Sequence, residues 1–289
     1  MCNYRAVAAT KADSARSIQA GALPAEPRYE VMPFRRAEEQ AAAAGERLRL
    51  TITTSPKHGV DRSLEVAERL RALGHDVTLH VAARMVRAAS NADEIVERAN
   101  AAGIDDLLVI GGDVRDPLGP YVASEALLER IAAHPARPAR LGIAAYPEGH
   151  PLIPQHELEA AIERKVSVAN YLVTQLCFDV KALTSWIHRL RARDVSRPLY
   201  IGAAGPVERR RLLEISTKVG VGPSLRFLRK QRGLAALFRS PTDAAAEFYD
   251  RVAPQVGDAQ LGIVGFHFFT FNDLLATRRW VEERSELHG

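Results

Sequence analysis

The chain has 289 residues, enough for one large domain or two small ones, and 47% of them are hydrophobic, which argues against disorder. A net charge of +4, spread along the sequence, fits an anionic small-molecule ligand and does not require nucleic acid. Two cysteines argue against a disulfide framework, and the lack of a long apolar run argues against a signal peptide or membrane span, so we expect a cytoplasmic protein.

In chain order, residues 1–27 are weakly patterned and are interpreted as an N-terminal lead-in. From Tyr29 onward, short apolar runs alternate with amphipathic helical patterns. Eight runs are predicted strands: Tyr29–Met32, Leu48–Thr54, Val77–Ala82, Leu107–Gly111, Leu141–Tyr146, Tyr171–Phe178, Leu199–Ala203 and Ile263–Phe269. Helices are predicted near 36–44, 62–73, 92–102, 121–133, 155–168, 181–193, 207–219 and 273–285, with an extra helical stretch at 223–256 before the eighth strand.

Eight strand–helix units within residues 28–289 predict a single (β/α)8 TIM barrel that forms the catalytic domain. Helix signals agree with this interpretation. Asp61-Arg62-Ser63 suits the start of the second helix, while Gly74 and Gly103 suit positions just past helix ends. A doubly wound open sheet is the alternative, but no Gly-x-Gly-x-x-Gly follows the first strand.

In such a barrel the carboxyl ends of the strands face the substrate, so polar residues there are the candidates for a site. They are Glu30, Thr53, His80, Asp113, Tyr146, His150, Gln175 and His267. No Cys-x-x-Cys spacing is present, and no metal site is predicted. No lysine lies within a strand, which argues against a Schiff-base aldolase; a barrel that binds phosphate through "IGGD" remains an alternative.

The acid and the glycine pair each have two interpretations. Glu30 lies in a mostly apolar strand, where it is either a general acid or the ion-pair partner of an arginine at the barrel mouth. In "VIGGDV", Gly111 and Gly112 let the backbone approach a flat or phosphorylated ligand that Asp113 then contacts. The same letters also suit a plain turn followed by a helix cap.

Residues at the ends of the later strands also have more than one interpretation. "AAYPEGHPLIP" forms a rigid loop suited to clamping a cofactor, and Gln175 needs partners that either a heterocycle or the backbone supplies. Arg164 and Lys165 either meet a phosphate or form a solvated face. Cys177 is interpreted as a small buried filler, and His267 is a polar exception among the aromatic residues of "FHFFTFND".

Taken together, "AAYPEGHP", "VTQLCFD" and "FHFFTFN", with weaker matches in "YEVMPF", "LHVAAR" and "VIGGD", resemble the methylenetetrahydrofolate reductase family from about Tyr29 to Thr270. The resemblance implies FAD at the barrel mouth and reduction of 5,10-methylenetetrahydrofolate to 5-methyltetrahydrofolate. Hydride passes from the reduced flavin, which NADH or NADPH reloads in a ping-pong cycle. This chemistry belongs to one-carbon metabolism and methionine biosynthesis.

Carried onto matching positions, the resemblance makes Glu30 the general acid and places Asp113 near both folate and flavin. Gln175 would hydrogen-bond the pterin of the folate. The positions implied to line the flavin are Thr53, His80, Gly112, Asp113, Ala144, Tyr146, His150, Arg164 and Lys165.

Several positions depart from the family pattern. Gly111 stands where the family has an arginine, and Phe34 replaces the second proline of the opening motif. After the seventh strand, "GPVERRRLL" offers Arg209 to Arg211 in place of an aromatic residue, and Asp273 stands where an arginine is common. These changes affect the expected contacts to flavin, nicotinamide and folate.

The departures leave alternatives open. One is a flavin-independent enzyme that takes hydride directly from NADH, and another works in the oxidative direction in a demethylation pathway. A third, of another class, is a non-catalytic paralogue that binds folate or a partner protein; the presence of Glu30 argues against it. A homo-oligomer is compatible with the sequence, which does not determine it.

Overall fold

The computed structural model describes residues 26–34, 36–206 and 241–287. Within this part of the chain, eight parallel strands close into a barrel in sequence order, with β8 pairing with β1. The predicted (β/α)8 barrel is therefore confirmed. The strands are β1 (Arg28–Val31), β2 (Arg49–Ile52), β3 (Asp76–Ala82), β4 (Asp106–Ile110), β5 (Arg140–Ala145), β6 (Tyr171–Thr174), β7 (Leu199–Ala204) and β8 (Ile263–Phe269).

Helices cover the outside of the barrel. Those that the structure describes are α1 (Ala37–Ala44), α2 (Gly59–Ala72), α3 (Ala89–Ala101), α4 (Ser124–Ala133), α5 (Gln155–Lys165), α6 (Val180–Arg191), α7 (Pro241–Val252) and α8 (Leu274–Glu286). Short 3₁₀ helices follow β3 at Ala83–Met85 and α7 at Ala253–Gln255. None of the described helices is long and apolar enough to cross a membrane.

The main core lies between the strands and this helical layer. On α2, Leu64, Ala67 and Leu70 are fully buried on one face, as their three- and four-residue spacing predicts. The glycines predicted to follow helix ends adopt the left-handed conformation, with φ of 92° at Gly74 and 71° at Gly103. The short strands read as continuous apolar runs because helices cover one face and the barrel interior buries the other.

Three boundary predictions are corrected. The sixth strand ends at Thr174 instead of Phe178, because the chain then turns across the barrel rim, where Cys177 N donates to Gly202 O. Helix α2 starts at Gly59, before Asp61. The Gly111-Gly112-Asp113 turn does not cap a helix, since α4 begins only at Ser124.

Some predictions concern residues that the structure does not describe. Residues 1–25 of the lead-in, the helix at 207–219 and the three arginines at 209–211 lie outside the described part of the chain. The same holds for 223–240 of the extra helical stretch. Of its described remainder, residues 241–256, the part 241–252 is helical as predicted and forms α7, and Ala253–Gln255 form a 3₁₀ helix.

A buried cation closes the amino-terminal half of the barrel interior. The Arg28 guanidinium lies 4.1 Å from the ring centre of Tyr200 and 4.4 Å from that of Tyr171, and it forms an ion pair of 3.1 Å with Asp106. Tyr171 Oη donates to the same carboxylate over 2.6 Å. Because these groups fill the interior below Glu30, the space available to a ligand is confined to the carboxyl-terminal end of the barrel.

Candidate active site

A cleft of about 120 Å³ opens at the carboxyl ends of the strands. Nine predicted site residues line it together, although they come from seven different strands or the loops after them. They are Glu30, Thr53, His80, Gly112, Asp113, Ala144, Tyr146, Gln175 and His267. The structure therefore brings most of the predicted site into one cavity, as barrel topology requires.

Glu30 is partly buried at the end of β1 and faces the inside of the cleft. Its Oε2 lies 3.3 Å from Nε2 of His267 on β8, and the imidazole is 1% exposed. Among the described residues, the observed partner of Glu30 is therefore this histidine and not the arginine that was considered from the sequence. Ring closure between β1 and β8 creates this pair, because only a closed barrel places the first and last strands side by side.

His80 is a titratable group of the cleft wall that is almost fully buried. Its ring lies nearly parallel to that of His267, with centres 6.1 Å apart and planes at 19°. Burial lowers the pKa of His80 to about 4, so the imidazole is neutral near pH 7. Both of its ring nitrogens lack a hydrogen-bond partner among the described residues. Unpartnered buried nitrogens of this kind are ready to bind a ligand.

Asp113 and Tyr146 form the opposite part of the cleft. Although Asp113 lies at the exposed rim, the surrounding walls remove part of its hydration and raise its pKa, an effect that nearby His150 opposes. Burial raises the pKa of Tyr146 to about 12, so its hydroxyl keeps its proton. The His150 ring packs edge-on against Tyr146 at 5.2 Å, and it supports the cleft wall without lining it.

The loop after β6 carries Gln175 into the cleft. The Gln175 backbone N donates to Ala145 O over 2.7 Å, and its side-chain Oε1 accepts from Leu176 N over 3.2 Å. Glu148, from the proline-rich loop, accepts from the backbone N of Asp179 over 2.7 Å and fixes the same segment. Cys177 is buried and its pKa is raised by burial, in agreement with a packing role.

Arg164 and Lys165 lie apart from the cleft-lining residues. Arg164 pairs with Glu125 at 2.9 Å, and the buried Lys165 Nζ donates to Ser124 Oγ over 3.1 Å. Both partners lie in the first turn of α4. The two cations are therefore paired with that turn, at a separate position from the residues around Glu30.

The glycine loop leaves room for a flat ligand. Gly112 has φ of 92°, and a Cβ there would lie 3.0 Å from the Cβ of Ala82. At Gly111 a Cβ would meet no heavy atom within 4 Å. Together with Ala144 and the unpartnered His80 nitrogens, this small-residue wall is compatible with an aromatic cofactor ring lying against backbone.

Other cleft residues were not predicted from the sequence. They are Thr54, Ala82, Met85, Leu108, Ile110, Val173, Thr174 and Phe269. Most are apolar, and a strand residue's local pattern does not tell whether it faces the barrel interior or the helices. His267 is different, since its position on the eighth strand already marked it as polar in an aromatic segment. Its contact with Glu30 required the register of β8 against β1.

The fold and the cleft define a (β/α)8-barrel protein with a small-molecule site at the carboxyl ends of its strands. The profile of the family described as Methylenetetrahydrofolate reductase matches residues 34–219, more than half of the chain. The chain therefore belongs to the methylenetetrahydrofolate reductase family, as the resemblance predicted.

Individual relatives are more distant. The chain is 30% identical over 121 residues to Methylenetetrahydrofolate reductase 1 of Schizosaccharomyces pombe, a match that covers 38% of this chain and 20% of that protein. It is 26% identical over 148 residues to Methylenetetrahydrofolate reductase 2 of Saccharomyces cerevisiae, covering 47% of this chain and 24% of that protein. These matches span about a fifth to a quarter of the yeast proteins.

Among solved structures, an uncharacterized protein from Clostridium thermocellum, described as binding two copies of 5-methyl-5,6,7,8-tetrahydrofolic acid, superimposes with a TM-score of 0.67. Its sequence is 13% identical, and the alignment covers 90% of this chain and 95% of that one. At this identity the likeness establishes the shared fold.

Proposed function

We propose that this protein is a folate-linked oxidoreductase that reduces 5,10-methylenetetrahydrofolate to 5-methyltetrahydrofolate, with FAD as cofactor and NADH or NADPH as the hydride source. The observation that carries the proposal is the position of Glu30, a carboxyl group paired with a buried histidine inside the cleft. Family membership and the folate bound by the Clostridium thermocellum protein support a folate as the substrate.

Each cleft residue has a role in this proposal. Glu30 donates a proton to the folate as its five-membered ring opens to the reactive iminium. Gln175 binds the polar edge of the pterin, since an amide supplies both a donor and an acceptor. Asp113, whose pKa is raised, would lie beside the rings of the folate and the flavin, where its carboxyl group would tune the local charge. The apolar walls, including Phe269 on β8, exclude water from the reacting atoms.

The glycine wall and the buried polar groups would hold the flavin. Bound FAD would supply the hydride chemistry, and the protein would supply position and electrostatics. Backbone at Gly112 and the small side chain of Ala144 would accept the flat ring, while His80 and Tyr146 would contact its polar edge. Arg164 and Lys165 could bind a phosphate group of the cofactor only if they shared or broke their contacts with Glu125 and Ser124 on α4.

The open space at Gly111 favours a second candidate, the flavin-independent enzyme. The family's arginine at this position is missing, and nothing in the described residues fills the space within 4 Å of a Cβ placed there. A cationic contact to the flavin is therefore lost. In this alternative, hydride passes directly from NADH to the folate, and the assignment of Glu30 as acid is unchanged.

One experiment separates the two. The purified protein is supplied with excess FAD, desalted and examined by absorbance spectroscopy. The flavin-dependent proposal expects retained flavin bands that NADH bleaches and 5,10-methylenetetrahydrofolate restores. A colourless protein that still oxidises NADH with 5,10-methylenetetrahydrofolate supports direct transfer. Failure to form 5-methyltetrahydrofolate under either condition contradicts the folate oxidoreductase itself.

A further inference from the structure

Two buried histidines of the cleft wall have ring nitrogens that no described residue partners. Neither ring nitrogen of His80, nor Nδ1 of His267, has a hydrogen-bond partner among the described residues. The two side chains are almost fully buried, at 5% and 1% exposure. Leaving a buried polar nitrogen unpaired costs about 1–3 kcal/mol, so three such atoms in one wall indicate a missing partner.

A carboxylate completes the group. Glu30 Oε2 lies 3.3 Å from His267 Nε2. One ligand atom from each of Glu30, His80 and His267 can be chosen so that all three lie within 4.8 Å of one another. The three residues come from β1, β3 and β8, respectively, and line the same cleft.

We propose that Glu30, His80 and His267 bind one divalent cation of the zinc class. Two imidazoles and one carboxylate are the ligand set that proteins use for Zn²⁺, Fe²⁺ and related ions, with the remaining coordination positions open to water or ligand. Nitrogen ligands make Mg²⁺ and Ca²⁺ poor candidates, because these ions prefer oxygen. Because no described residue bonds to either ring nitrogen of His80, either tautomer can present one nitrogen lone pair to a cation.

The geometry requires a modest closure. Ligand atoms in a tetrahedral zinc site, about 2.0–2.1 Å from the metal, lie about 3.4 Å from one another. The 3.3 Å contact of Glu30 with His267 already meets this spacing, while the widest separation, up to 4.8 Å, must shorten. Side-chain rotation of Glu30, the only partly exposed member of the three, provides part of that movement.

Metal binding at this site would also regulate the enzyme. This regulatory role rests on the proposed function, but metal binding itself does not. A carboxylate that binds a cation cannot also carry the proton that Glu30 gives to the folate. The cation therefore competes with the general acid, and Zn²⁺ is expected to inhibit folate reduction reversibly. No spacing motif indicates this site in the sequence, because its ligands are separated by up to 237 positions.

The test titrates the untagged, chelator-treated full chain with Co²⁺ and follows the visible absorption of the metal. We expect one equivalent to bind with the intense bands of a low-coordinate Co²⁺ site and to be displaced by Zn²⁺. Glu30→Gln and His267→Gln are each expected to weaken binding by at least about tenfold, because even changes to outer-sphere partners of metal sites cost about 10–100-fold. The matched control is His188→Gln, an exposed histidine on α6 that should leave binding unchanged.

X-ray absorption on the unaltered Co²⁺ protein supplies a measurement that does not depend on whether a variant folds. Scattering from two imidazole ligands is expected. The site would be overturned if the unaltered protein did not bind Co²⁺ stoichiometrically or showed no imidazole scattering. It would also be overturned if Glu30→Gln and His267→Gln bound Co²⁺ as tightly as the unaltered protein does. If Zn²⁺ binds there without slowing folate reduction, the competition is wrong. If the protein reduces no folate at all, the metal titration still decides the site.

Discussion

The surroundings of the Glu30 carboxyl group include His267, which is 237 positions away in the sequence. The contact with His267 places a hydrogen-bonding group beside the carboxyl, and the wall behind it is formed by buried side chains. Asp113, on the other side of the cleft, lies at the exposed rim, where His150 is its titratable neighbour. Two carboxyl groups in different environments can take different roles at the same pH, and the proposed function gives Glu30 the role of acid and Asp113 that of a group that tunes charge.

A substitution at Gly111 is expected to strengthen cofactor binding. Replacing Gly111 with Arg returns a cation to the open space, where a charge-assisted hydrogen bond worth about 1.5–3 kcal/mol would strengthen FAD binding by at least about tenfold. Equilibrium dialysis with FAD measures the change. Gly111→Gln is the control that adds a polar side chain without charge. Equal FAD affinity in the arginine variant, the glutamine variant and the unaltered protein would show that this space does not face the flavin.

His75 provides a pH-dependent prediction away from the cleft. Its buried Nδ1 accepts a hydrogen bond from Leu48 N over 3.2 Å, and burial lowers its pKa. The unfolded chain therefore takes up a proton that the folded chain refuses, so the free energy of unfolding falls as the pH drops below about 6.5. Urea unfolding at pH 7 and pH 5, with chelator present, measures this loss.

The variant His75→Asn keeps an acceptor near the Leu48 amide but cannot titrate, so its stability should fall less between pH 7 and pH 5. His188→Asn, which alters an exposed histidine, is expected to behave like the unaltered protein. An unchanged pH dependence in His75→Asn would show that other groups cause the acid loss.

At the level of elements, the loop between β4 and α4 requires a specific backbone. Replacing Gly112 with Ala forces a side chain into a left-handed position 3.0 Å from the Ala82 Cβ. We expect a loss of about 1–2 kcal/mol in the free energy of unfolding, measured with urea, and weaker FAD retention. Gly111→Ala is the neighbouring control, since its Cβ meets nothing within 4 Å. Equal stability of the two variants would contradict the strained conformation.

The buried contacts of Arg28 join the amino-terminal ends of β1, β4 and β6. Arg28→Met leaves the Asp106 carboxylate without its buried cation, and we expect a loss of about 3 kcal/mol or more in unfolding free energy. The double variant Arg28→Met with Asp106→Leu should recover part of this loss, because it removes the uncompensated charge. A single variant as stable as the unaltered protein would show that Arg140, at 3.3 Å from Asp106, already suffices.

For the whole molecule, the sequence predicted the fold well because each β/α unit carries its own local pattern. All eight strands lie where apolar runs were found, with ends shifted by a few residues. The end of β6 was missed because Leu176, Cys177 and Phe178 are apolar although the chain has left the ladder, so hydrophobicity alone could not locate Thr174 as the last strand residue. Turns that need φ above zero, as at Gly74, were predictable from residue type.

The site was predictable only in part. Strand-end polar residues such as Gln175 could be identified one at a time, since barrel topology gathers them at one mouth. Contacts between distant strands could not be identified from the sequence. The pairing of Glu30 with His267, the stacking of His80 on His267 and the pairing of Lys165 with Ser124 all depend on register and ring closure.

The most direct test of the central claim compares the unaltered protein with Glu30→Gln in the conversion of 5,10-methylenetetrahydrofolate to 5-methyltetrahydrofolate, with NADH and with or without FAD. We predict that the unaltered protein forms the product and that the variant is slower by about 10²–10⁴-fold, the usual contribution of a general acid. Any reduction of retained flavin by NADH should remain nearly intact. Equal rates of product formation by the two proteins, or no product from the unaltered protein, would contradict the account.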